Sequence, residues 1–236
     1  MTLIRKSSII FFMDKPTAVV LFESSGVMRE ALRSAGFDAW SCDLQAADDG
    51  SQYHFQQDAF ELISSDSHQF NVVIAHPTCT AMCVSGNHVY AAGKPRHNER
   101  IAAVRYTEKV WHTACTKADH VVFENPTGVL PTMSSLPKPK YYQPYDFGDD
   151  ASKNTALFVH NFEDIEVDPD QRCAGRMVSY KGKMVERWSN QTDSGQNRLG
   201  PSEDRWKVRS RTYPGLADAV AKAAMQSVLK RGRLAS

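Results

Sequence analysis

Residues 17–44 read TAVVLFESSGVMREALRSAGFDAWSCDL, and the order of textures in this stretch decides the fold class. Thr17 to Phe22 is a β-branched, apolar run without charge, which reads as a buried strand, and it ends at Glu23-Ser24-Ser25-Gly26. From Val27 to Ala35 apolar residues return at helical spacing through Val27, Ala31 and Leu32, and Gly36 stops the helix. Phe37 to Leu44 then reads as a second strand with an acid, Asp43, at its end. Strand, turn, helix and strand in that order call for parallel strands joined by a helical crossover.

The same alternation continues outward. A polar stretch from Gln45 to Gln57 leads to a short helix around Ala59 to Ser64, and Asn71 to Ala75 is another buried strand. After His76-Pro77-Thr78-Cys79 comes a loop rich in Gly, His and Pro to about Arg96. A helix from His97 to Lys117 carries Ile101, Val104, Trp111 and Ala114 on one side, and the strand Val121 to Phe123 runs straight into Glu124-Asn125-Pro126. The expectation is an α/β, Rossmann-like, class I methyltransferase-like fold: a mostly parallel sheet with helices on both faces.

Beyond Pro126 the texture changes, with prolines at 131, 137, 139 and 144, a strand-like Ala156 to Val159 and a hairpin around Tyr180-Lys181-Gly182-Lys183. Residues 127–200 are therefore expected to form an insertion or small cap, with a β-hairpin, inside one domain covering 1–236. Ser189 to Arg211 is polar and Arg-bearing, and Pro214 to Leu229 is a closing helix with Leu216, Val220, Ala224 and Val228 in step.

At 236 residues, 42% apolar and 23% charged, the chain suits one globular domain. A net charge of +1 excludes the global basic field that holds a protein on nucleic acid by counterion release alone, so any polyanion contact must be local. The five cysteines, at 42, 79, 83, 115 and 173, are an odd number and suggest reduced thiols. Ile9 to Met13 is too short for a signal-peptide core or a membrane span, so a cytoplasmic protein is expected.

Three segments fall at strand ends, where open parallel sheets bind ligands. The turn Phe22 to Gly26 would offer backbone N–H groups to a ligand, and Asp43, 17 residues past Gly26, is placed to bond ribose hydroxyls; an ordinary βα turn is the alternative. Cys79, with Cys83, Ser85, Gly86 and His88 downstream, is a nucleophile if neighbouring dipoles or cations lower its pKa, and otherwise a small packed residue. His76, Cys79, Cys83 and His88 also admit a zinc reading, with spacing unlike paired C-x2-C sites. Glu124 emerges from an apolar strand, where desolvation would raise its pKa and let it donate a proton, unless it is a turn or capping acid.

Taken in order, these segments resemble the cytosine-5 DNA methyltransferases, and more closely the short phage and prophage proteins labelled as DNA cytosine methyltransferases. Phe22-Glu23-Ser24-Ser25-Gly26 with Leu32, Ala35, Gly36 and Phe37 is similar to that family's first motif, and Pro77 with Cys79 is similar to its Pro-Cys motif. Ser85-Gly86 echoes the Ser and Gly downstream, and Glu124-Asn125 is similar to the Glu-Asn pair. The resemblance implies S-adenosylmethionine as cofactor, held by residues 22–26, Asp43, Asp58 and Pro77. It implies DNA or a pyrimidine nucleotide as partner, with Cys79 as nucleophile on carbon 6 of cytosine and Glu124 and Asn125 at the reacting ring. A flipped base would sit under the loop from Thr80 to Arg96. Ser85, Arg209 and Arg211 would contact substrate, the arginines within a C-terminal segment (Arg209-Ser210-Arg211, then Thr212-Tyr213-Pro214-Gly215) that the phage group shares.

The chain departs from that pattern in several places. Only Gly26 of three glycines remains, with Ser24 and Val27 at the other two places, and Thr78 separates Pro77 from Cys79, which leaves Cys83 as a rival nucleophile. No arginine pair that would steady Glu124 is identifiable by spacing. Two other readings follow: a non-catalytic binder of nucleic acid or nucleotide on the same fold, and an amino-methyltransferase relic in Asn125-Pro126-Thr127, where no aromatic follows.

Overall fold

The computed structural model describes residues 15–200 and 211–234. The run Ile9 to Met13 and the residues Arg205 and Arg209 lie outside the described residues.

Strands β1 (Thr17–Leu21), β2 (Asp38–Asp43), β3 (His54–Gln56), β4 (Phe70–Ala75), β5 (Ala118–Pro126), β6 (Lys140–Tyr142) and β7 (Thr155–His160) form one sheet in the order β3-β2-β1-β4-β5-β7-β6. The first five run parallel; β7 lies antiparallel to β5, and β6 antiparallel to β7. This is the expected Rossmann-like α/β sheet. The helices are α1 (Val27–Ser34), α2 (Ala59–Ser64), α3 (Asn87–Tyr90), α4 (His97–Lys117), α5 (Leu130–Met133) and α6 (Pro214–Leu234).

Two cores lie on opposite faces of the sheet because strand side chains alternate. Ala18 and Val20 of β1, with Val72, Ile74 and Val122, pack against Met28 and Leu32 of α1 and Leu216, Val220 and Ala224 of α6. Val19, Leu21, Val73, Val121 and Phe123 pack the other way, against Leu62 and Ile63 of α2 and Val104, Val110 and Trp111 of α4. Each large side chain buried in this way contributes about 1.5–3 kcal/mol, and Trp111 adds an edge-on contact with Phe123 at 5.1 Å between centroids. Strands apolar on both faces produce the uninterrupted runs seen in the sequence.

The polar stretch 45–57 contains β3, a three-residue edge strand whose pairing with Ser41 to Asp43 holds it where its own composition would not. Within 127–200, β6 and β7 extend the main sheet, while β8 (Arg176–Tyr180) and β9 (Lys183–Arg187) form a separate two-stranded hairpin. Among the described residues no helix is long and apolar enough to cross a membrane.

Candidate active site

The chain leaves β1 toward β2 and leaves β4 toward β5, in opposite directions across the sheet, so a crevice opens between the carboxyl ends of β1 and β4. Leu21 lies opposite Ala75 in register, and the His76 N–H donates to the Leu21 carbonyl at 3.0 Å. The Glu23 N–H donates to the Cys42 carbonyl at 3.1 Å, which seats the β1–α1 turn beside Asp43.

On the β4–β5 side a charged cluster is buried. Glu124 is 6% exposed; its Oε2 accepts from His76 Nδ1 at 2.7 Å, and Lys153 Nζ lies 3.4 Å from its Oε1. Burial alone would raise this carboxyl, but the Lys153 charge and the His76 hydrogen bond outweigh it and hold the pKa down to about 2. The expected upward shift is thus corrected: Glu124 rests as a carboxylate. Lys153 escaped the sequence reading. Its place follows from β7 lying antiparallel to β5, with Ala156 opposite Asn125, which brings the residues just before β7 back to the Glu124 end of β5.

Asn125 is also buried, and its Nδ2 donates to the Pro77 carbonyl at 2.9 Å, tying the ends of β4 and β5 together. A carbonyl only accepts, so this bond fixes the amide orientation and leaves Oδ1 facing elsewhere. Among the described residues three buried polar side-chain atoms have no partner: Asn125 Oδ1 and His76 Nε2 at the carboxyl ends of β5 and β4, and His120 Nε2 near the start of β5. Such atoms cost stability unless met by another group, and the two at the carboxyl ends lie where the crevice opens.

The two thiols of the 79–83 turn act as a pair. The Cys83 N–H donates to the Cys79 carbonyl at 2.8 Å, and the two thiols are close enough to shift each other's ionisation. The interaction with Cys83, with burial second, pushes Cys79 up, while the interaction with Cys79, the Ser85 hydroxyl at 3.0 Å and the Gly86 and Ser85 N–H groups hold Cys83 down. The neighbouring dipoles expected for Cys79 therefore converge on Cys83, and Ser85 reaches Cys83. The zinc reading fails on geometry: His76 faces Glu124, Cys79 faces Cys83, and His88 bonds the Ser85 carbonyl. No group of three potential ligands gathers among the described residues.

On the β1–β2 side, the α1 N-terminus is already filled. Glu23, 4% exposed, accepts the Met28 N–H at 2.8 Å and the Arg29 N–H at 3.1 Å, and Ser25 Oγ donates to it at 3.3 Å. A carboxylate at a helix N-terminus is favourable, but it takes the N–H groups that the sequence suggested for a ligand. Gly26 turns with φ 76°, and a Cβ there would sit 2.3 Å from the Arg29 guanidinium, so glycine is required.

Phe22 has φ 60°, a strained value for a non-glycine residue, and its ring meets Tyr106 of α4 edge-on at 6.2 Å. Tyr106, also missed from sequence, donates its hydroxyl to Asp58 Oδ2 at 2.9 Å, and burial with that bond pushes its pKa up to about 12. Asp58 Oδ1 caps α2 by accepting from Phe60 and Glu61 N–H. Asp43 Oδ1 accepts the Gln45 N–H at 2.9 Å. The ends of β1, β2 and β3 thus carry an aromatic wall and carboxylates, and no open anion cradle. Arg211 lies 3.7 Å from Asp48, whose N–H donates to the Ser24 carbonyl, so it borders this same turn.

No protein-family model and no curated protein matches the chain. Among solved structures it is similar to an E. coli prophage-encoded protein described as a DNA modification methyltransferase (14% identity, TM-score 0.41, 61% of this chain and 46% of that one). It is also similar to a mutant of Spodoptera frugiperda DNMT2 (13%, 0.39, 61% and 49%) and to the bifunctional kinase-methyltransferase WbdD (11%, 0.38, 75% and 39%). The chain spans less than half the length of each. At these scores the likenesses assign neither family nor substrate.

Proposed function

We propose that this chain is an S-adenosylmethionine-dependent methyltransferase acting on carbon 5 of a cytosine, in DNA or a related pyrimidine nucleotide. The observation that carries this reading is the buried carboxylate Glu124, held between Lys153 and His76, beside the Cys79–Cys83 thiol pair at the switch-point crevice. The donor side fits the cofactor's chemistry: Phe22 and Tyr106 offer ring faces and edges for adenine, and Asp43 and Asp58 offer carboxylates for hydroxyl and amino groups. Glu23 at the α1 N-terminus disfavours a phosphate there and favours a ligand bearing positive charge. S-adenosylmethionine, when bound, supplies an electrophilic methyl group on a sulfonium.

The chain's own residues then have definite tasks. Cys79 adds through Sγ to carbon 6, its proton passing to the neighbouring Cys83, whose pKa is held down so that it can accept as the thiolate. Negative charge develops on the ring, and Lys153 and His76 stabilise it through Glu124. Because Glu124 rests ionised, the proton it hands to ring nitrogen 3 comes from His76 or Lys153, both in contact with its oxygens. Asn125 Oδ1, unpartnered, is an acceptor for a substrate N–H. The carbon-5 proton then passes to water, its bonding electrons form the carbon 5–carbon 6 double bond as the Sγ–carbon 6 bond breaks, Cys79 takes back the proton held by Cys83, and ring nitrogen 3 returns its proton to Glu124.

The test pairs calorimetric titration of S-adenosylmethionine with trapping on an oligonucleotide containing 5-fluorocytosine, whose fluorine blocks the elimination. Donor binding weakened by Asp43→Ala, with an adduct lost in Cys79→Ala, supports the proposal; an adduct mapped to Cys83 moves the nucleophile. A second reading, a non-catalytic binder, is favoured by one feature, the single glycine of the β1–α1 turn, with Ser24 and Val27 at the other two places of the motif it resembles. Absence of donor binding, with and without oligonucleotide, would establish that reading instead.

A further inference from the structure

We infer that the β8–β9 hairpin and the cleft at its base bind the phosphate backbone of a polynucleotide strand whose target base occupies the Cys79–Glu124 site. The identity of that base rests on the function proposed above; the phosphate tract rests on its own observations.

Charge is distributed unevenly. Residues 172–198 hold six Lys or Arg against two acids, Glu186 and Asp193, a net +4 in a chain whose total is +1. Arg176 and Arg187 stand directly opposite each other in the hairpin, and with Arg198, Ser189 and one acid, Asp150, they line a cleft of about 510 Å³. Like charges directly across a strand pair are destabilising. Arg187 is engaged by carbonyls, those of Glu186 and Asp193, and among the described residues neither Arg187 nor Arg198 forms an ion pair. Arg176 has the largely exposed Asp193. Three guanidiniums line one space against two carboxylates, Asp150, which is bonded to the Ser189 N–H, and the largely exposed Asp193, so an excess of positive charge remains to match an anion of the phosphate class.

The cleft is anchored to the site. Ser189 donates from its N–H and its hydroxyl to Asp150, and Asn190 bonds both the N–H and the carbonyl of Ser152. The next residue is Lys153, the partner of Glu124. Tyr145 stacked on Trp188 at 3.8 Å stiffens the hairpin base. The cleft and the site therefore share one short, clamped loop.

A strand, rather than a lone nucleotide, fits the dimensions. From Arg176 to Tyr180 the hairpin extends about 14 Å at ~3.4 Å per residue, and Lys181 and Lys183 stand at its tip. That span exceeds the reach of one nucleotide's phosphate.

Anisotropy with a labelled single-stranded oligonucleotide of about twelve nucleotides, titrated between about 50 and 200 mM salt, tests the inference. The double variant Arg187→Ala/Arg198→Ala should raise Kd about tenfold and flatten the slope of log K against log salt by about 1.4, two contacts at ~0.7 each. Lys181→Ala/Lys183→Ala, at the exposed tip, should weaken binding in the same direction, and it decides the matter if the arginine variant fails to fold. Unchanged Kd and slope in the folded variants would overturn the inference. So would CMP competing as well as the oligonucleotide and losing affinity equally, which would make the cleft a single-phosphate site. Failure of S-adenosylmethionine to bind would sink the proposed reaction and leave this readout intact.

Discussion

The two sides of the crevice solve the same local problem, a strand end meeting a helix, in opposite ways. At the β1–α1 turn the polar groups are satisfied from within: Glu23 closes the helix N-terminus, and Gly26 takes the left-handed turn. At the β4–β5 ends satisfaction is incomplete: Glu124 is matched by Lys153 and His76, yet Asn125 Oδ1 and His76 Nε2 stay without partners among the described residues. Self-satisfied polar groups stabilise the fold, whereas buried unmet groups persist where something else completes them. On the function proposed above, the difference assigns the reaction chemistry to the β4–β5 side and leaves the β1–β2 side to shape and hold a ligand.

Substitutions can break this contrast in graded ways. Glu124→Gln should reduce methyl transfer by about 10²–10⁴-fold, the range for a lost acid–base group, with oligonucleotide affinity little changed; an unaltered turnover number would remove Glu124 from the chemistry. Lys153→Met strands a buried carboxylate and should cost about 3 kcal/mol in denaturant unfolding, while the double variant Lys153→Met/Glu124→Gln should recover part of that loss. A null result in that cycle would mean that the pair is not coupled. Gly26→Ala on the opposite side should cost more than ~1 kcal/mol through its positive φ, and donor binding should fall with it.

Acid sharpens the same comparison. The Glu124 pKa lies below its ordinary value of 4.5, so the stability from its pairing is fully present above about pH 4.5 and is lost as pH falls through about 2. Unfolding curves of the native chain and Glu124→Gln should therefore converge toward low pH; parallel curves would contradict the depressed pKa. The smallest effect is expected at Arg211, an exposed partner of Asp48 at 3.7 Å. Arg211→Ala should shift stability by less than about 0.5 kcal/mol.

Much of the architecture was legible because apolar strands and helical spacing are local. Helix α2 over Ala59–Ser64 and helix α4 over His97–Lys117 match the sequence reading residue for residue. Strand β3 was not legible, because three residues with one apolar side chain, Phe55, between two polar ones form a strand only when a neighbour offers its edge. At the site, Cys79, Glu124 and Asn125 were visible as residues at strand ends. Tyr106 and Lys153 were not, since each reaches the crevice from an element distant in sequence.

By itself the sequence determined the alternation of strand and helix, the doubly apolar strands and the residues at their carboxyl ends, all of which follow from composition over a few neighbouring positions. Tertiary structure alone decided the charge state of Glu124, the pairing of Cys79 with Cys83 and the closing of the α1 N-terminus by Glu23. Each depends on burial and on partners brought within a few ångströms, and a side chain's electrostatics are set by those neighbours rather than by its identity.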